Sequence, residues 1–395
     1  MSIATDARTT GRFRVSLGDA AGAVADLGVM VPLAAALILV NGLDAGSVFL
    51  CAGMLAIASG VAFRVPFPVQ PLKALTAVAV AQQLSPGVIH AAGLEIAAFL
   101  LLLSIRHVAD AVAELFVKPV VRALQLGVGV LLVITSIKLV ANPPDVFVGT
   151  PGSPWPIALA LVAFVGVALA AHRRRFWIAL ALFGAGIAVT IATTHPALGG
   201  PSFGFPSVAL PPAAAFGTAF FLLVVPQLPL TFGNAVVAID DLSHEYFGGA
   251  ARRVTPSRVC LSAGLGNAGA ALLGGMPMCH GAGGLTAHVR LGARSAGMNL
   301  LLGGALVVLG LLFAPQLPVL LGLLPVWVLA GFLAYAGLRH AWLVNDLGGA
   351  MLLIALVAGA IGAWFGNLAI TAALALLAEH GRRLTLERPR VRNEG

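Results

Sequence analysis

Val65-Pro66-Phe67-Pro68-Val69-Gln70-Pro71-Leu72-Lys73, continuing as ALTAVAVAQQ to Gln83, is the stretch on which the fold turns. Pro66, Pro68 and Pro71 each fix φ and remove an N–H, so a helix is forbidden up to about residue 70. Pro71 itself suits a first helical position, where the missing donor costs nothing. The apolar run after it is about three helical turns long, so a helix N-terminus is placed inside apolar surroundings. About 210 residues later the pattern returns as Met276-Pro277-Met278-Cys279-His280-Gly281-Ala282-Gly283-Gly284, followed by LTAHVRLGARS. Here Pro277 holds the chain extended, and the glycines bring bare backbone amides close to any ligand.

Both stretches sit among long apolar runs. The 395 residues are 59% hydrophobic and 10% charged, which excludes an ordinary soluble protein, where charged residues approach a quarter. Segments of about 18 to 25 apolar residues cross roughly 30 Å of hydrocarbon as helices. Such spans are expected near 17–40, 45–63, 88–106, 117–140, 155–172, 175–194, 213–240, 256–273, 296–313, 318–338, 343–362 and 364–380. The broken spans 65–84 and 275–291 bring the count to fourteen, in third and tenth position. The expected fold is therefore an all-α integral membrane protein of fourteen spans in two repeats of seven. Seven is odd, so the second repeat enters from the opposite face, an inverted repeat with short extended segments before half-helices 3 and 10.

The basic residues test that count. With the N-terminus inside, the inner loops receive Arg8, Arg12, Arg14, Arg64, Arg106, Lys118, Arg122, Arg173, Arg174, Arg175, Arg252, Arg253, Arg258, Arg290, Arg294, Arg339 and the tail arginines. The opposite loops, including 141–154 and 195–212, receive none. Lys138, near the outer end of its helix, is expected to snorkel. Both termini are thus expected to be cytoplasmic. The net charge of +8 becomes a topology label rather than a nucleic-acid-binding patch, and the lipid bilayer is the expected partner. Cys51, Cys260 and Cys279 are scattered in apolar segments, so neither a disulfide framework nor a Cys-rich metal site is available, and no cofactor is expected.

Two helix N-termini meeting near the midplane carry about half a positive charge each and several unpaired donors, a cradle for an anion. Gln70 and His280, just before the half-helices, add side-chain hydrogen bonds, and Lys73 adds a full charge or a proton site. Alternatively Lys73 snorkels or pairs with an aspartate, and His280 is a satisfied structural histidine. In the eighth span, Pro226 and Pro229 free backbone carbonyls, and Gln227, Thr231 and Asn234 share one helix face. That stripe faces either a cavity or another polar helix. Asp26 and Glu95 lie within spans as candidate coupling sites for a proton, or as structural partners of basic residues. Asp19 and Pro32 join Asp26 as the first-span counterpart of the stripe, and Asp240, Asp241, His244 and Glu245 read as a solvated helix end.

LGDAAGAVADLGVMVPL, VPFPVQPLKALTAVAV, PQLPLTFGNAVVA and GGMPMCHGAGGLTAHVRLGARS resemble the signature segments of the MOT-type molybdate transporters, relatives of the SulP sulfate permeases. The resemblance covers about residues 11–380. It implies the inverted-repeat fold of uracil permeases and anion exchangers. The core domain would be 16–108 with 210–315 (spans 1–4 and 8–11), and the gate domain 109–195 with 316–381, between cytoplasmic tails 1–15 and 382–395. It also implies substrate held between the half-helices, at Gln70, Leu72, Lys73, Gln227, Thr231, Asn234, His280, Gly281, Ala282 and Gly283. Where relatives often carry a hydroxyl residue after Asp-Leu-Gly, this chain has Val29. The STAS domain of typical SulP permeases is expected to be absent, as in MOT-type relatives. By analogy with the same fold, a homodimer is expected.

The function expected is secondary active import of molybdate, with core moving against gate. Sulfate or tungstate carriage, a nucleobase transporter and an anion channel of the same fold are the alternatives. A membrane enzyme is disfavoured, because residues 240–245 lack a recognisable ligand pattern.

Overall fold

The computed structural model describes residues 13–25, 27–143, 155–173, 175, 177–197, 199–206, 208 and 210–387. Asp26, Arg8, Arg12, Arg174, loop residues 144–154 and the tail after 387 lie outside the described residues. Span 1 comprises Leu17–Ala25 and Leu27–Leu39, span 2 Ala45–Phe63, span 3 the half-helix Lys73–Ala81, span 4 Pro86–Ser104 and span 5 Lys118–Ala141. Spans 6 and 7 are Trp155–His172 and Trp177–Thr194, span 8 is Ala215–Ala251, span 9 Pro256–Leu272 and span 10 the half-helix Ala282–Arg290. Span 11 is Gly297–Leu312, span 12 Val326–Ala341, span 13 Gly349–Trp364 and span 14 Leu368–Glu387.

Among the described residues seven helices are long and apolar enough to cross a bilayer alone, and up to nine if two bent pairs each count as one span. The remaining helices are shorter or more charged for physical reasons. Spans 3 and 10 are half-helices by construction, span 9 has 17 residues and span 13 has 16, and span 14 carries Glu379, Arg382 and Arg383. Span 12 corrects the expected 318–338. A short helix, Leu317–Gly322, follows a 97° turn after span 11, and the span proper starts only after Pro325, whose ring fixes an extended N-cap (φ −73°, ψ 100°). Span 13 likewise begins at Gly349, because residues 342–346 form a 3₁₀ turn.

Two packed groups organise these helices. Span 2 lies along span 11, and span 4 along span 9, with span 1 against spans 10 and 11. Separately, span 5 lies along spans 12 and 13, span 12 along span 6, and span 13 along span 14. Small residues set the closest approaches, as expected where lipid removes the hydrophobic drive between helices. A side chain at Gly53 would sit 2.6 Å from the carbonyl oxygen of Gly303, and one at Gly303 2.7 Å from that of Gly53. Gly129 and Gly337 lock spans 5 and 12 in the same reciprocal way, at 2.6 and 2.8 Å.

Candidate functional site

The proline-rich segments are extended and paired. Gln70–Pro71 (β1) and Met278–Cys279 (β2) form a two-stranded antiparallel sheet with Gln70 opposite Cys279 and Pro71 opposite Met278. The Leu72 N–H adds a 3.1 Å bond to the Pro277 carbonyl. Irregular backbone at membrane depth is tolerated only when its polar groups are satisfied by protein. Two buried asparagines do this. Asn299 accepts from the Phe67 N–H (2.9 Å) and donates to the Phe67 carbonyl (2.6 Å), while Asn267 accepts from the Met278 N–H (2.8 Å) and donates to the Met278 carbonyl (2.7 Å). The fully buried His280 ring bonds the Pro68 carbonyl at 2.8 Å through Nδ1 and the Ser262 hydroxyl at 3.0 Å through Nε2.

Gln70 and Cys279 are 209 positions apart, and so are Lys73 and Ala282, the first residues of the half-helices. Repeat-equivalent residues therefore face each other across the sheet, which puts the local two-fold axis of an inverted repeat between Gln70 and Cys279. Antiparallel pairing about that axis brings both half-helix N-termini to one place.

The half-helices start at Leu72 and Gly281, N-caps in extended geometry without a side-chain capping bond. The first N–H groups of a helix lack a carbonyl four residues back, and two of those here are taken up otherwise. The Gly284 N–H donates to the Gly281 carbonyl at 3.0 Å, and the Leu75 N–H donates to Gln227 Oε1 at 2.9 Å, while Gln227 Nε2 donates to Thr231 Oγ1 at 2.9 Å. This chain fixes the amide orientation and uses the Thr231 oxygen as an acceptor, leaving its hydroxyl proton to donate. Lys73 Nζ donates to Gln70 Oε1 at 2.8 Å, and among the described residues it pairs with no carboxylate. Gly281 is required by close approach, since a Cβ there would collide with Gln70 Oε1 and lie 3.3 Å from Lys73 Nζ.

Span 8 supplies the facing wall, and its prolines shape it. Pro226 and Pro229 each withhold an N–H, and the helix widens into π-helical turns at Phe220–Val224 and Gly233–Val237, on either side of Val225–Phe232. Between this wall and the half-helices lies a cavity of about 10 Å³ lined by Lys73, Gln227, Leu230, Thr231, Asn234, Ala235 and Cys279. It has room for about one water. The buried Asn234 Oδ1 has no hydrogen-bond partner.

The structure thus brings Gln70, Lys73, Gln227, Thr231, Asn234 and Gly281 together. The Leu72 amide is consumed by Pro277 and both His280 nitrogens by Pro68 and Ser262, so in this arrangement these two hold the extended segments. Ala282 is fully buried at the start of span 10, and Gly283 abuts Leu132 and Val128 of span 5, at 3.0 and 3.3 Å from a Cβ placed there. Glu95 stands apart on span 4, its Oε2 buried without a partner. Asp19 ties the start of span 1 to the loop after span 10, accepting from the N–H groups of Arg294 (2.9 Å) and Ser295 (3.0 Å). Cys279, which the sequence shows only as one of three scattered cysteines in apolar segments, lines the cavity.

A second charged cluster corrects the reading of residues 240–245 as merely solvated. Arg122 of span 5, 3% exposed, donates two bonds to Asp346 (3.0 and 2.7 Å), one to Asp241 (2.7 Å) and one to Glu245 (2.8 Å). Asp241 and Glu245 belong to the end of span 8, which packs against span 4 of the first group, so this guanidinium joins the two packed groups. Deeper in, Thr286 of span 10 lies 2.7 Å from His340 Nδ1 of span 12.

A protein-family model described as a molybdate transporter of the MFS superfamily matches residues 18–132 and 219–339, a range that includes every residue of the cavity wall. The chain belongs to this molybdate transporter family. Molybdate transporter 2 of Arabidopsis thaliana is 29% identical over 82% of this chain and 78% of its own length. Molybdate transporter 1 of Chlamydomonas reinhardtii is 28% identical over 84% of each chain. Among solved structures, the transmembrane domain of the cyanobacterial bicarbonate transporter BicA superposes with a TM-score of 0.55 at 18% identity, over 91% of this chain and 96% of that one. The murine Solute Carrier 26 family member A9 anion transporter superposes with a TM-score of 0.54 at 13% identity, over 95% of this chain and 70% of that one. This member of the molybdate transporter family therefore has the SulP-type fold, a 7+7 inverted repeat with paired half-helices.

Proposed function

We propose that this protein is a secondary active transporter that imports molybdate, held between the half-helix N-termini and the stripe on span 8. The observation that carries the reading is Lys73. Its ammonium, anchored on Gln70 and without a carboxylate partner among the described residues, borders a cavity where two helix N-termini meet. A tetrahedral dianion is the ligand such a site favours: one full charge, two helix dipoles, first-turn amides and the Thr231 hydroxyl all stabilise oxygen anions. A nucleobase is disfavoured, because among the described residues the cavity wall holds no carboxylate for ring N–H groups.

Spans 1–4 and 8–11 act as the core, and spans 5–7 and 12–14 as the gate. The cavity is too small for a four-oxygen anion, so binding requires the two groups to separate. Arg122 closes the end where the basic residues gather, which the positive-inside rule marks as cytoplasmic. Uptake is thus from the opposite face, with both chain termini cytoplasmic.

The test is calorimetric binding of molybdate, tungstate and sulfate to purified protein, with Lys73→Met beside wild type. Loss of one charge-assisted contact worth about 1.5–3 kcal/mol weakens affinity roughly 10- to 100-fold. Unchanged affinity in a folded Lys73→Met variant rejects the site.

A further inference from the structure

Away from the substrate cavity, a groove of about 860 Å³ runs between spans 2 and 9. Its walls are apolar and open to the outside: Met54 is 50%, Leu261 44% and Leu265 59% exposed. Small residues deepen it, and at Gly269 a side chain would meet nothing within 4 Å. At one end stand Arg252, Arg253 and Arg258, which line the same groove. Arg252 and Arg258 are exposed, and the nearby carboxylate bonded at the start of span 9, Asp110, is already engaged by Ser257 (2.7 Å) and His107 (2.7 Å). The groove runs from Ala62 back to Cys51 on span 2, about 16 Å of helix, which is close to half of a hydrocarbon core of roughly 30 Å.

We propose that this groove binds one anionic glycerophospholipid, with its phosphate on the Arg252, Arg253 and Arg258 guanidiniums and an acyl chain laid along Met54, Leu261 and Leu265. Charge complementarity selects the occupant. A leaflet-long apolar channel ending in three arginines fits a molecule with an anionic head and a hydrocarbon tail, and the arginine end lies on the side whose leaflet carries anionic lipid. The floor includes Ser262, whose hydroxyl bonds His280, so the lipid braces a residue that fixes the extended segment before span 10.

The experiment incubates delipidated full-length protein in detergent with equal phosphatidylglycerol and phosphatidylcholine and counts retained lipid by native mass spectrometry. Wild type is expected to retain phosphatidylglycerol over phosphatidylcholine by about tenfold or more. Arg252→Gln with Arg253→Gln and Arg258→Gln removes that preference, whereas Ala58→Leu with Gly269→Leu, which fills the channel, lowers retention of both lipids. Thermal unfolding accompanies each variant, and the two sets perturb different parts of the site, so misfolding of one leaves the other decisive. Equal phosphatidylglycerol retention by wild type and both variants overturns the proposal. So does inorganic phosphate displacing phosphatidylglycerol as readily from wild type as from the channel-filled variant, which would mean a free-anion site. Cross-linking of two copies through cysteines introduced along the groove in lipid bilayers would assign the face to a second chain and equally overturn it.

Discussion

Replacing Arg122 by glutamine should open the arginine-bearing end of the transporter. Only interactions that differ between the closed and open arrangements shift their balance. The bidentate Arg122–Asp346 pair lies within one packed group and moves with it, so it drops out. What remains is Arg122 to Asp241 at 2.7 Å and to Glu245 at 2.8 Å, the contacts that tie span 5 to span 8. Both carboxylate side chains are partly wetted, at 36% and 39% exposed. Each contact is therefore worth about 1 kcal/mol, the upper end for a solvent-screened pair rather than the value for a buried one. Together they contribute about 2 kcal/mol, a shift of roughly 30-fold toward the open arrangement. Cys279, 4% exposed and part of the cavity wall, is the reporter. With Cys51 and Cys260 replaced by alanine, its alkylation by a charged thiol reagent applied from the arginine-bearing side should accelerate about 30-fold in Arg122→Gln, and much less in Arg122→Lys. An acceleration below about threefold, or an equal one from both sides, refutes the assignment of Arg122 as a closing contact.

Thr231→Val keeps the shape but removes the donor set up by Gln227. Molybdate affinity should fall about tenfold while Thr231→Ser keeps it, as read by calorimetry. Asn299→Leu leaves the Phe67 N–H and carbonyl buried without partners, which costs about 2–6 kcal/mol for the two groups and should appear as a large fall in unfolding temperature, with Asn267→Leu behaving alike at Met278. Gly281→Ala drives a methyl against Gln70 Oε1 and should abolish uptake in proteoliposomes while the protein still reaches the membrane. If Glu95 couples a proton, Glu95→Gln makes uptake flat between pH 5 and 8 where wild type varies; a flat wild-type profile, without proton flux, removes the coupling.

The half-helices were legible because their breaks are local: proline and glycine impose extended backbone whatever surrounds them. The stripe on span 8 was legible as spacing, but the job of Gln227 was not. Its partner is the Leu75 N–H, 152 residues away, and nothing in a helix face reveals that. Pro71 shows the same limit. Its ring suits a helix start, yet pairing with Met278 keeps it in β1 and delays the helix to Lys73. Span 12 was misplaced because 317–338 is apolar throughout, so hydropathy could not register the break before Pro325. Arg122 counted in sequence only as a mark of sidedness, since burial among three carboxylates depends on which helix ends meet.

Spans 5 and 12 hold equivalent places in the two repeats, and the Gly129–Gly337 contact joins them at an offset of 208, one less than that of the half-helices. Carried to Arg122, it lands at Ala330 and Gly331, where a Cβ would lie 2.7 Å from the Phe164 nitrogen of span 6 and no charge is available. Two identical halves in opposite orientation would make inward and outward openings equivalent by the two-fold rotation and equal in energy. Among the described residues the arginine clasp stands at one end alone, so the degeneracy is lifted and the empty carrier has a preferred side on which to wait.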